Sequence, residues 1–189
     1  MNSSARNDIE SPLLRLPGEL RNKVYHYVFG NMIIETSTAY EATIHRHNYL
    51  VARDGFRGKR TPDLYRMGGI LFTCRKLYAE ARLLPLQLSI TRIQSAFDGR
   101  LQVRLQAPQL NAIRTICVSY DTLMQDGIGP VLHPFKGLKR VIVDKCCSRT
   151  WLTKKARNGL AATVKKEANN ADIEVLFVAS GAAVQNFLK

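Results

Sequence analysis

The chain has 189 residues, 46% hydrophobic and 23% charged, proportions that allow a packed core and exclude a wholly disordered chain. Its 28 Lys and Arg outnumber 15 Asp and Glu, for a net charge of +13, so its field attracts polyanions: nucleic acid, acidic protein surfaces or anionic lipid. The longest apolar runs, such as Leu83 to Leu86, are far too short for a bilayer span, and no hydrophobic stretch follows the polar Met1–Asp8, so we expect no membrane segment or secretory leader and an intracellular place, nucleus or cytoplasm.

Residues 1–11 read as a disordered lead-in, and 12–189 as a single compact domain with a first part at 12–85 and a second at 86–189. The first helix signal lies in Leu13–Gly30. Pro17 suits the first helical position, Glu19 favours the first turn, and Gly30 is a natural stop. Leu20, Val24, Tyr27 and Val28 recur at helical spacing and predict one apolar stripe. Met32–Thr36 and Ala42–Leu50 are β-branched or alternating and predict a hairpin of two strands. Residues 53–68 are polar, basic and contain Gly and Pro, the composition of a loop. A second helix is predicted from about Met67 to Leu84, with Leu71, Cys74, Leu77, Tyr78 and Ala81 buried and Pro85 ending it.

Beyond Pro85, β-like segments recur at Leu86–Ile93, Ile113–Tyr120, Leu138–Asp144 and Ile173–Ala179. Helix-like stretches lie between them at about 95–111, 121–133 and 150–170. Such alternation predicts parallel strands joined by right-handed crossovers. The predicted class is therefore α+β with an α/β-like C-terminal part: a helix, a β-hairpin and a second helix, then β-α-β units in a small, partly parallel sheet. The first two steps, each about 25 residues long, resemble an irregular leucine-rich-repeat stack.

The last helix predicts a narrow apolar stripe of Leu152, Ala156, Leu160 and Val164. Lys154, Arg157 and Lys165 would fall on the far side, and Lys155 and Lys166 beside the stripe. Between Lys136 and Lys166 stand ten Lys and Arg against one acid, Asp144. Lys139, Arg140, Lys154, Lys155, Arg157, Lys165 and Lys166 are thus candidate polyanion contacts, which would be sequence-independent and salt-dependent. A solvated face on a basic protein is the plainer reading of the same residues.

Little in the sequence points to catalysis or a cofactor. It contains no Gly-rich phosphate loop, G-x-S-x-G or H-E-x-x-H. His45 and His47 share a strand face but lack acidic company, Gly68-Gly69 is too short a signal for an anion site, and Cys146-Cys147 has no histidine placed to form a dyad. The four cysteines (Cys74, Cys117, Cys146, Cys147) show no disulfide or C-x-x-C spacing and read as small buried hydrophobes.

Two blocks carry a resemblance. Leu13-Leu14-Arg15-Leu16-Pro17-Gly18-Glu19-Leu20-Arg21, running on to Tyr25-His26-Tyr27-Val28-Phe29, resembles the opening of the fungal F-box-like family. Leu71-Phe72-Thr73-Cys74-Arg75-Lys76-Leu77-Tyr78-Ala79-Glu80-Ala81 is similar to that family's downstream helix. The resemblance implies a binding role: the first helix docks on a Skp-type adaptor of a cullin–RING ubiquitin ligase, and the remainder holds a client protein. Carried over by position, the docking residues are Leu16, Pro17, Leu20, Val24 and Val28. The same side chains would equally serve to pack the helix on its own domain. Unlike a standard F-box, strand-like residues 32–50 and a basic loop separate the two helices.

Overall fold

A computed structural model describes residues 11–30, 32–38, 48–54, 75–93, 105–145 and 152–178. Two helices lead, α1 (Pro12–Arg15) and α2 (Gly18–Phe29), followed by strands β1 (Met32–Thr38) and β2 (Asn48–Asp54). Helices α3 (Arg75–Ala81) and α4 (Leu84–Leu88) precede β3 (Ile90–Ile93). Then come α5 (Ala107–Ala112), β4 (Thr115–Ser119), α6 (Tyr120–Asp126), α7 (Ile128–Leu132), β5 (Arg140–Asp144), α8 (Lys154–Glu167) and β6 (Glu174–Val178).

One six-stranded sheet runs in the order β2-β1-β3-β4-β5-β6. β1 and β2 pair antiparallel as the predicted hairpin would, but the second strand is Asn48–Asp54 where Ala42–Leu50 was expected, and every other neighbouring pair is parallel. The fold is thus α+β with a five-stranded parallel sheet, and its strands come from both the first and the second part of the chain. Ile90 faces Thr115 and Thr115 faces Arg140, two steps of 25 residues, as the β-like spacing implied. The step from Arg140 to its partner Glu174 is longer, because it contains the 14-residue α8.

Because each parallel strand is added on the same side of the previous one, right-handed crossovers bring the connecting helices to one face. The packing agrees. Ile34, Ile93, Ile116, Val118, Val141 and Val143 form one core with Leu123, Val131, Leu132, Leu160 and Val164 of the helices. The alternate positions Ile33, Ile90, Cys117, Ile142 and Val178 form a second buried cluster. Burial on both faces explains why these strands read as continuous apolar runs of Ile and Val. On this second face Arg92 donates to Asp144 at 3.3 Å. The one acid between Lys136 and Lys166 is therefore a buried partner of Arg92.

Three local expectations change. Pro85 does not end a helix. It opens α4, in the first turn, where a proline's missing N–H costs nothing, and the strand expected from Leu86 starts at Ile90. The stretch expected as a helix at 121–133 breaks into α6 and α7 at Gly127, whose φ of +82° suits glycine alone. Arg53 and Asp54, expected to open a loop, belong to β2, and the rest of that expected loop lies outside the described residues. Of the helix expected at 95–111, the described part is α5.

Gly137 marks a close approach. A Cβ there would land on the Asn111 carbonyl oxygen at the end of α5. Arg114 secures the same corner: its Nη1 donates to the Gly137 carbonyl at 2.8 Å, and its own carbonyl accepts from Lys139 N at 2.8 Å and Arg140 N at 3.0 Å. At the far end of α8, Asn169 takes the left-handed conformation with φ of 49°. Asn170 N donates to Lys165 O at 3.1 Å and Asn169 N to Lys166 O at 3.0 Å, the paired bonds of a Schellman stop.

A two-faced N-terminal helix as candidate functional site

The two motif blocks meet in space. Tyr25 and Phe29 of α2 and Leu77 and Ala81 of α3 form a buried cluster, with Leu13, Leu14, Val28, Leu84 and Leu88 around it. Tyr25 and Phe29 stack with ring centroids 6.4 Å apart. Arg21 ties the arrangement together. Its Nε donates to Glu80 Oε1 at 2.9 Å and its Nη1 to the Leu16 carbonyl at 2.6 Å. The guanidinium thus joins α3 to the turn that leads into α2. The hydrogen bond Arg21 donates to the Glu80 carboxylate raises the Arg21 pKa above its already high ordinary value, so the link keeps its cation throughout the physiological range. At the other end of α2, Ser89 Oγ donates to the Phe29 carbonyl at 3.3 Å and fixes the helix to the start of β3.

This packing overturns the expected phase of α2. The inward positions are Arg21, Tyr25 and Phe29, which recur every four residues. The stripe expected to be buried lies on the flank: Leu20 is 43% exposed and Tyr27 87% exposed, Pro17 is exposed, and Val24 is half-buried. Val28 is half-buried against the α2–α3 cluster, and Leu16 is half-buried in the turn before the helix. Pro17 caps the helix one position earlier than expected. Helix α2 is therefore apolar twice over. One face holds the fold, and the other presents Pro17, Leu20, Val24 and Tyr27 at i, i+3, i+7 and i+10, a line along one side of the helix.

Of the candidate docking residues, Pro17, Leu20 and Val24 come together on this outward line. Leu16 and Val28 border it and lean toward the packed side. Tyr27, absent from the docking set carried over from the family motif, is the most exposed large apolar side chain described. Its helical spacing from Leu20 is the signal that could have found it. Arg15, Lys23, Arg75, Lys76 and Arg82 are exposed on α1 to α3 or just beyond, against Glu19 on the same helices once Glu80 is matched with Arg21.

The polyanion candidates are rearranged as well. Ala156 is exposed, so the stripe of α8 that packs on the sheet runs through Arg157, Leu160, Ala161, Val164, Lys165 and Ala168. Arg157 and Lys165 are half-buried beside the core, and Lys154, Lys155 and Lys166 are exposed. The far-side grouping of Lys154, Arg157 and Lys165 does not form. Arg140 is engaged by its cross-strand neighbour Glu174 at 2.6 Å, and Lys139 is exposed at the start of β5. Gly159 lies mid-helix on the exposed side with open space where a Cβ would be. Replacing it, Gly159→Ala, is expected to raise stability by about 0.5–1 kcal/mol, read as a higher urea midpoint at unchanged m-value.

Cys117 is buried within the sheet, as expected of a small hydrophobe. Cys74, Cys146, Cys147, His45, His47, Gly68 and Gly69 lie outside the described residues, as does the basic loop from residue 55 to 66. Among the described residues no group of three or more His, Cys, Asp or Glu is placed to hold a metal, and no helix is long and apolar enough to cross a membrane. Compared with models of protein families, with curated proteins and with solved structures, the chain matches none.

Proposed function

We propose that this chain is a non-enzymatic protein–protein interaction module of F-box-like type, whose helix α2 docks on a Skp-type adaptor of a cullin–RING ubiquitin ligase while the sheet-bearing part holds a client. The observation that carries this reading is the outward apolar line of α2. A helix whose only task was to close its own core would have no use for a Leu and a Tyr turned to solvent at helical spacing. Tyr is among the side chains that most often anchor interfaces, and an amphipathic helix laid in an apolar groove is a recurrent mode of recognition. The motif residues support the reading by their division of labour. Arg21, Tyr25, Leu77 and Glu80 hold the two helices together, which leaves Pro17, Leu20 and Val24 free to face a partner.

Burying Leu20 and Tyr27 in a groove contributes about 2 kcal/mol each. The double substitution Leu20→Asp, Tyr27→Asp is therefore expected to weaken binding to a purified Skp-type adaptor by about a thousandfold, measured by titration calorimetry. No binding of the unsubstituted chain to such an adaptor would remove the ubiquitin-ligase version. Adaptor binding unchanged by the double substitution would remove this face as its site.

A further inference from the structure

Helix α8 carries a second surface, unrelated to α2. With 3.6 residues per turn, Lys155, Gly159, Ala162 and Lys166 fall on one line directly opposite the buried Leu160 and Val164. Lys154 and Asn158 form the adjacent exposed line, which ends at Lys165, half-buried where this face meets the packed side. Four lysines thus stand as two pairs, each pair separated from the other by 11 residues, or about 16 Å of helix. The surface between them is low and uncharged. Among the described residues no carboxylate pairs with any of the four, and Glu167 lies on the opposite flank. Lys154 and Lys155 occupy the first turn, which holds no acid, where they oppose the helix dipole, while Lys165 and Lys166 in the last turn complement it.

We propose that the outer face of α8 binds the phosphate backbone of nucleic acid without regard to sequence. Protein interfaces are anchored by aromatic, Met or Arg side chains, and this face offers only Lys, Gly, Ala, Asn and Thr. Lysines suit phosphates as point charges. Measured along the duplex axis each strand presents one charge every ~3.4 Å, so both lysine pairs can reach phosphates of one duplex, with nothing between them tall enough to hold a backbone away.

The test uses the full chain with a 30-base-pair DNA duplex of arbitrary sequence, followed by fluorescence anisotropy at 50 and 200 mM salt. Four phosphate contacts predict about a hundredfold loss of affinity between the two salt concentrations. Replacing all four, Lys154→Gln, Lys155→Gln, Lys165→Gln and Lys166→Gln, should flatten the salt slope by about 3–4 units, whereas Lys136→Gln with Lys139→Gln should leave at least that large a slope contribution in place. A urea midpoint no lower than that of the unsubstituted chain shows that the fourfold variant is folded. Absence of binding at 50 mM salt, or an unchanged slope in the folded fourfold variant, would overturn the proposal. So would binding to polyglutamate as tight as to the duplex, which would place an acidic protein on this face instead.

Discussion

Phe29→Ala is expected to cost about 3–5 kcal/mol, the largest single effect foreseen for an apolar side chain in this molecule. Phe29 is fully buried, stacks on Tyr25 and packs with Leu77 and Ala81, so truncation leaves a void where the two motif helices meet. Its backbone carbonyl also receives Ser89 Oγ, which couples α2 to the start of β3 and limits how far the helix can shift to close the gap. With total stabilities of single domains near 5–15 kcal/mol, such a loss removes a large fraction of the total. Urea unfolding followed by far-ultraviolet circular dichroism checks this. A loss under 1 kcal/mol would mean that α2 contributes little to the fold.

Gly137→Ala ranks next, for a different reason. The added methyl meets first a backbone carbonyl, that of Asn111, which cannot swing aside as a side chain could, and next the Arg114 guanidinium. Relief requires the end of α5 to move away from the lead-in to β5, which would break the Arg114 bonds to Gly137, Lys139 and Arg140. Overpacking of this kind costs about 1–3 kcal/mol, and the rigid neighbour places this site at the upper end. The same urea titration reads it, and Gly159→Ala is the contrasting control, since that glycine faces open space.

The sheet was legible because its strands are short apolar runs rich in Ile and Val set between turn residues. Thr115–Ser119 and Arg140–Asp144 could be read from the sequence for that reason. The phase of α2 was not. Apolar side chains at Leu20, Val24, Tyr25, Tyr27, Val28 and Phe29 spread around about half of the helix, so spacing alone selects no inner face. Arg21 hides the true one, because a charged residue at the centre of the packed side reads as solvent-facing until its partners Glu80 and Leu16 are known. Helix α8 failed in a similar way. Ala156 suits either environment, and Arg157 and Lys165 lie beside the core with only part of their length in water, which long cationic side chains tolerate by extending their heads outward. Pro85 misled because a proline opens a helix as readily as it ends one. The candidate docking residues came from the family motif, and their division between a packed face and an open one needed the position of α3.

The account rests on α2 having one face for the fold and another for a partner, and the stability of the Leu20→Asp, Tyr27→Asp variant tests that division most directly. Both side chains are exposed, so the urea midpoint should move by no more than about 0.5 kcal/mol in free-energy terms while adaptor binding is lost. A destabilisation of several kcal/mol, comparable with that of Phe29→Ala, would show that the supposed docking line belongs to the core.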